Sequence, residues 1–131
     1  MSDHSPALRP FTRFAAVVAA AVATLFALTA CAPSEPIDVS ADTVVIDVRT
    51  PEEYAAGHLD GAVNIDVQSS GFDAAIAELD PEGSYVVYCR SGNRSAAAID
   101  RMEAAGFTDL VNAGGLQDAA DATGIPIVAG T

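Results

Sequence analysis

Apolar positions fall into a long opening run and then a series of short blocks separated by polar turns. Phe14 to Ala30 carries no charge, and Thr24 and Thr29 are its polar members. Beyond it, Val44-Val45-Ile46-Asp47-Val48 and Tyr85-Val86-Val87-Tyr88 are β-branched or aromatic runs of the kind found in buried parallel strands. Ala62-Val63-Asn64-Ile65 and Leu110-Val111 predict two further short strands, and Ile37-Asp38-Val39 predicts one ahead of them. Helical signals alternate with these. Thr50-Pro51-Glu52-Glu53 combines an N-cap residue, a proline at the first helical position and Glu53 three residues after the cap, and Gly57 closes that helix. Apolar residues at 72, 75, 76 and 79 have helical spacing. Pro81-Glu82-Gly83 is a turn. Ser95 to Ala105 forms a helix stopped by Gly106, and a last helix runs from the Gly114-Gly115 turn to about Thr123. Strands alternating with helices predict an α/β domain, a parallel sheet covered on both faces. No internal repeat interrupts the pattern.

The opening run has the anatomy of an export signal: Arg9 and Arg13 before it, an apolar middle, small residues at its end. Three residues separate the two arginines, which excludes a twin-arginine signal. The run closes on Leu28-Thr29-Ala30-Cys31, which resembles the bacterial lipobox. That resemblance implies cleavage before Cys31 and a diacylglycerol on its sulfur, and two acyl chains suffice for stable anchoring. A retained transmembrane helix is the weaker alternative, because the run is shorter than the roughly 20 residues of a span. The chain therefore divides into a signal peptide (1–30), a lipidated cysteine with a linker (31–42) and a domain (43–131). Ala32-Pro33-Ser34-Glu35-Pro36 reads as solvated linker, which argues against Cys31 as a core or disulfide cysteine.

Charge narrows the function classes. The net charge is −12, and there is no lysine. Such a chain lacks the cations that neutralise phosphates, so no nucleic-acid partner is expected. Removing Asp3, Arg9 and Arg13 leaves 17 acids against four arginines, a net charge of −13. Those arginines are Arg49, Arg90, Arg94 and Arg101, and two of them lie within five residues of Cys89.

Candidate chemistry gathers there. Cys89-Arg90-Ser91-Gly92-Asn93-Arg94-Ser95 follows a strand directly and opens a helix, the position where open α/β sheets bind ligands. A loop curling into a helix N-terminus aims several N–H groups at one point, and Cys89 at the strand end places its sulfur in that cradle. Helix N-termini and nearby arginines both stabilise a thiolate, the reactive form. Gly92 permits a tight turn, and Asn93 and Ser95 are available to cap the helix or donate hydrogen bonds. An inert buried thiol is the bland alternative. The polar residues that follow Cys89 speak against it, since a loop of this composition is partly exposed.

Two stretches now identify a resemblance. One is Val45-Ile46-Asp47-Val48-Arg49-Thr50-Pro51-Glu52-Glu53-Tyr54 running on to Gly57-His58-Leu59-Asp60-Gly61-Ala62-Val63-Asn64-Ile65. The other is Val87-Tyr88-Cys89-Arg90-Ser91-Gly92-Asn93-Arg94-Ser95-Ala96-Ala97, with Ala105-Gly106-Phe107 and Gly114-Gly115 further on. Together they resemble a single-domain rhodanese-like protein over nearly all of the chain after the linker. The resemblance implies a three-layer fold with a five-stranded parallel sheet. It implies a sulfurtransferase in which Cys89 takes sulfane sulfur from thiosulfate, a persulfide or a polysulfide, holds it as a persulfide, and passes it to cyanide or a thiol. The loop from Arg90 to Ser95 then binds substrate, with Arg94 at its closing position and Arg90 against an anionic donor. No metal or organic cofactor is implied. Relatives with phosphatase activity have one more residue before the closing arginine. Here four residues separate Cys89 from Arg94, which favours sulfur over a larger oxyanion.

Supporting roles are less determined. Arg49 and Glu53, four apart at a helix start, are expected to form an ion pair. Asp47 is placed either in the scaffold or against the loop amides or Arg94. His58 is read as scaffold ahead of general base, and Ile99, Met102 and Phe107 as core. Two departures from the family stand out: Leu116 occupies the usual tryptophan position, and Asp66 replaces a proline after Asn64-Ile65. A non-catalytic sulfane-sulfur binder or redox sensor is the alternative function, since an exported free thiol is open to oxidation.

Overall fold

The computed structural model describes residues 34–130. The signal segment and Cys31 lie outside the described residues. The elements are β1 (Val44–Asp47), α1 (Pro51–Ala56), β2 (His58–Leu59), β3 (Val63–Asn64), α2 (Phe72–Ala77), β4 (Ser84–Tyr88), α3 (Asn93–Ala104), β5 (Asp109–Asn112), α4 (Leu116–Thr123) and β6 (Ile127–Val128).

Strands β3, β1, β4 and β5 form one parallel sheet in that order. This is the expected rhodanese-like α/β architecture with four strands in the main sheet rather than five. The Ile37-Asp38-Val39 run is not a strand. It docks on α4 through Ile37 N–H to the Ala122 carbonyl at 2.8 Å, and Ile37 and Val39 pack on the core. The linker thus joins the domain surface from Ile37 onward. A separate antiparallel ribbon pairs His58 with Val128 and Leu59 with Ile127. Strands of two residues carry no periodicity, so the sequence pattern could not announce it.

Alternation along β1 and β4 divides the core between two faces, as in any pleated strand. Ile46, Val48, Tyr85, Val87 and Cys89 face a cluster with Phe72 and Ile76 of α2 and Ala98 and Met102 of α3. Phe107 closes that cluster edge-on to Tyr85, and Ile99 packs on it. Val45, Val86 and Tyr88 face the other way, toward Leu59, Ala113 and Ala119 of α4. Leu116 packs on this second cluster, so the last helix seats a leucine at the position where the resemblance led to the expectation of tryptophan.

The start of α1 is as the sequence predicts. Thr50 Oγ1 accepts from Glu53 N–H at 3.3 Å, and the Glu53 carboxylate accepts from Thr50 N–H at 3.1 Å. These reciprocal bonds satisfy two donors that the first turn would otherwise leave open. The helix ends at Ala56 with Gly57 after it.

Candidate active site

The site is assembled at the C-terminal ends of the parallel strands. Strand β4 delivers Cys89, whose N–H donates to the Gly114 carbonyl at 2.9 Å. The chain then turns through Arg90, Ser91 and Gly92 into α3. Gly92 turns with φ +90°, a left-handed conformation that side chains rarely adopt. The loop is backed by the Gly114-Gly115 turn. A Cβ on Gly115 would stand 2.6 Å from the Arg90 carbonyl oxygen, so this position has no room for a side chain. The glycine pair is there because one loop lies directly on the other.

The Cys89 sulfur is fully buried beneath this loop. Its loop is exposed at Arg90, Ser91 and Asn93, as the polar composition indicates, but the thiol itself is not. Gly92 N–H donates to Sγ at 2.9 Å, and Ser95 Oγ lies 3.5 Å from it. Burial pushes the thiol pKa up. The Ser95 hydroxyl and the backbone N–H groups of Ser95, Ser91 and Gly92 outweigh that, and the net shift is downward. The thiolate is thus stabilised by the helix N-terminus and a hydroxyl. The expected help from nearby arginines is not among the leading causes.

Arg94 points elsewhere. Its guanidinium makes a two-pronged pair with Glu53 of α1, at 2.7 and 2.9 Å. Arg94 holds the Glu53 carboxyl at a pKa of about 2, so the pair is ionised throughout the neutral range. Glu53 therefore serves as helix cap and loop anchor together, and the expected Arg49–Glu53 pair does not form.

Arg49 instead binds Asp47, with Nη2 to Oδ2 at 2.6 Å and Nε to Oδ1 at 2.9 Å. Its Nη2 also donates to the Gly57 carbonyl at 2.6 Å. Asp47 is fully buried and accepts in addition from Arg49 N–H at 2.9 Å and the Tyr88 hydroxyl at 2.8 Å. It touches neither the loop amides nor Arg94. The pleat explains this: Asp47 shares the face of Val45 and Tyr88, whereas the sulfur of Cys89 lies on the opposite face with Ile46 and Val87. Asp47 and Arg49 are scaffold here.

His58 is likewise built into the scaffold. Its ring stacks on Tyr54 at 3.7 Å between centroids, and Nδ1 lies 2.8 Å from the Tyr54 carbonyl. It makes no hydrogen bond to the Cys89 loop. The capping expectation for α3 is also revised. The N-cap is Gly92, with no side-chain cap. Ser95, buried in the first turn, turns its hydroxyl back to the Gly92 carbonyl at 2.9 Å, and Asn93 faces solvent.

Three of the four arginines among the described residues are paired: Arg49 with Asp47, Arg94 with Glu53, and Arg101 with Asp73. Arg90 is exposed and makes no ion pair among the described residues. The loop therefore presents one unpaired cation on a strongly acidic body. At the ends of β1 and β3 a cleft of about 320 Å³ opens, lined by Pro51, Asn64, Asp66, Ser69 and Phe72 among others. Asp66, where the resemblance led to the expectation of proline, is on its wall.

One residue of the site escaped the sequence reading, and another was given the wrong partner. Asn112, at the end of β5, bonds both Ser95 and Gly92. Its signal was available: it precedes Ala113-Gly114-Gly115 at a C-terminal strand end, where such sheets build their sites. Glu53 was assigned to the wrong arginine, because sequence spacing reports neighbours along a helix and not across the fold. Among the described residues no group of three or more His, Cys, Asp or Glu side chains is placed to hold a metal.

Comparison with known proteins agrees with this architecture. Residues 35–122 match the model of the rhodanese-like domain. The thiosulfate sulfurtransferase PspE of Escherichia coli is 40% identical over 75 residues, covering 57% of this chain and 72% of that protein. The thiosulfate sulfurtransferase GlpE of Pseudomonas entomophila is 33% identical over 84 residues, covering 63% and 75%. Among solved structures, a rhodanese with anions from E. coli superposes with a TM-score of 0.57 at 38% identity, covering 67% of this chain and 99% of that one. With the loop, the sheet and the family match in agreement, the chain belongs to the rhodanese-like domain family.

Proposed function

We propose that this chain is a rhodanese-type sulfurtransferase that carries sulfane sulfur on Cys89. The observation that carries the reading is the sulfur at the end of β4, receiving Gly92 N–H at 2.9 Å with the Ser95 hydroxyl beside it. Its thiol pKa is lowered despite burial. Relatives named thiosulfate sulfurtransferases support the activity.

The chemistry runs in two half-reactions. The Cys89 thiolate attacks the outer sulfur of thiosulfate. A new S–S bond forms, the bond to the sulfonate sulfur breaks, and sulfite leaves with the electron pair. The product is a Cys89 persulfide anion. The backbone N–H groups of Ser95, Ser91 and Gly92, which already lower the thiol pKa, would stabilise the charge on its terminal sulfur. Cyanide or a thiolate then attacks that terminal sulfur and releases thiocyanate or a new persulfide, restoring the Cys89 thiolate. Charge and electrons balance in each step, and ping-pong kinetics are expected. Persulfides or polysulfides serve as donors by the same attack.

Arg90 is the donor's contact in this account. It is unpaired, exposed and on the loop, whereas Arg94 is committed to Glu53. Replacing it by glutamine is expected to raise the KM for thiosulfate about tenfold, the worth of one charge-assisted contact. The midpoint of urea unfolding should not move, because the side chain holds nothing in place. Steady-state assays at varied thiosulfate read the first quantity. An unchanged KM would remove Arg90 from donor binding.

The same proposal places the enzyme on the outer side of a bacterial membrane, tethered by lipid on Cys31. The support is the sequence of residues 1–31: basic start, apolar run and the Leu28-Thr29-Ala30-Cys31 ending. The net charge of −13 left after cleavage repels anionic head groups, so attachment falls to the acyl chains. Intact mass of the membrane-fraction protein tests this. The expected mass begins at Cys31 and carries acyl chains, and Cys31→Ser abolishes the acylation. An unmodified chain that retains residues 1–30 would overturn it.

A further inference from the structure

Asn112 has no part in the sulfur chemistry above, yet its side chain joins three pieces of the site. Oδ1 lies 2.7 Å from Ser95 Oγ and accepts from Gly114 N–H at 2.9 Å. Nδ2 donates to the Gly92 carbonyl at 3.2 Å. The Gly114 donor fixes which end of the amide is oxygen.

Ser95 carries one hydroxyl proton and has three acceptors in reach: Asn112 Oδ1, the Gly92 carbonyl at 2.9 Å, and Cys89 Sγ at 3.5 Å. It can serve one well at a time. We infer that Asn112 is a positioning residue for Cys89, holding the Ser95 proton while Cys89 is a thiol and yielding it to the sulfur when Cys89 ionises. This rests on the reading of Cys89 as the reactive sulfur.

The arrangement makes that exchange inexpensive. When the hydroxyl turns to sulfur, the Gly92 carbonyl keeps the Ala96 N–H at 3.1 Å and the Asn112 Nδ2 donor. Asn112 Oδ1 keeps the Gly114 N–H. Neither acceptor is stranded, and a stranded buried acceptor is the larger cost in such networks. The thiol proton goes to water, and no covalent bond other than S–H changes. Without the amide, the Gly92 carbonyl would lose the Nδ2 donor and press its own demand on the Ser95 proton against the sulfur.

Asn112→Asp tests the idea with little change of shape at an exposed position. It removes the donor to Gly92 and offers Ser95 a charged acceptor, which keeps the proton from sulfur. The full-length chain with Cys31→Ser leaves Cys89 as its one thiol. In it, thiolate ultraviolet absorbance is followed against pH. Other charges about the sulfur are Arg90 in the loop, Arg94 with Glu53, Asp66 beyond β3, Asp118 on α4 and the Asp47–Arg49 pair, and none of them is altered.

The titration midpoint is expected to rise by about one pH unit, a tenfold loss of thiolate below it. Ser95→Ala alone should also raise it. In the Ser95→Ala background, Asn112→Asp should add little, since coupled groups fail to add. A shift of equal size in both backgrounds would mean a field effect of the carboxylate and would overturn the inference, as would no shift with Ser95 in place. Far-UV circular dichroism confirms that each variant is folded. The titration reads the proton, and mass after thiosulfate reads the sulfur, so failure of this inference and failure of the sulfurtransferase reading are distinguishable.

Discussion

Cys89→Ser is expected to remove sulfur transfer from this protein, with turnover falling at least about a thousandfold. The serine hydroxyl stays protonated where the cysteine thiol ionises, and oxygen cannot replace sulfur as a persulfide carrier. The fold should survive the change. The residue is buried, but the replacement is smaller by little, and its oxygen still offers Gly92 N–H an acceptor. A cost of about 1 kcal/mol in unfolding free energy, read from the urea midpoint, is expected for such a site. Thiosulfate:cyanide turnover, with circular dichroism on the same sample, separates lost chemistry from lost structure. Turnover within tenfold of the parent would mean that another group carries the sulfur.

The largest effect on stability should come from Asp47→Ala. The carboxylate is fully buried and serves the Arg49 side chain, the Arg49 N–H and the Tyr88 hydroxyl. Its removal leaves a buried guanidinium with the Gly57 carbonyl as its remaining side-chain partner. Breaking one side of a buried pair costs about 3–5 kcal/mol, mostly the uncompensated charge left behind. Against a total of about 5–15 kcal/mol for a domain, that is a large share. Urea unfolding followed by circular dichroism reads it as a marked fall in midpoint. Asp47→Asn should fall less, because an amide oxygen in place of either carboxylate oxygen still accepts from at least two of these donors. Equal midpoints for Asp47→Ala and the parent would show that Arg49 finds solvent on its own.

The loop and the strands were readable because their signals are local. Tyr85 to Tyr88 is a continuous apolar run, and Cys89 follows it into residues that cannot build a core. Thr50-Pro51-Glu52-Glu53 specifies its own helix start through bonds three residues apart, and the capping box forms as written. The losses are all long-range. Arg49 and Glu53 are spaced for a helical pair, yet Arg49 lies before the helix and turns to Asp47, while Glu53 reaches Arg94 across 41 positions. Which acid meets which arginine depends on the order and pleat of β1 and β4, which no spacing rule contains. Ile37-Asp38-Val39 has strand residues, yet its backbone bonds to α4 through Ile37 and leaves the edge of β5 unpaired. Asn112 is one polar residue at the end of a short strand, and its place over Ser95 exists only once β5 lies beside β4.

The cleft with Asp66 on its wall gives the departure from the family a physical place. A carboxylate there faces the same strand ends as the reactive loop, where a proline would offer no charge. It adds to an acidic surface on which Arg90 stands as the unpaired arginine among the described residues.

The most direct measurement is intact mass of the full-length Cys31→Ser chain, reduced, before and after thiosulfate. The account predicts a gain of one sulfur atom that cyanide removes and that Cys89→Ser abolishes. A folded, reduced sample that gains no mass from thiosulfate or from polysulfide would contradict the claim that Cys89 carries sulfur.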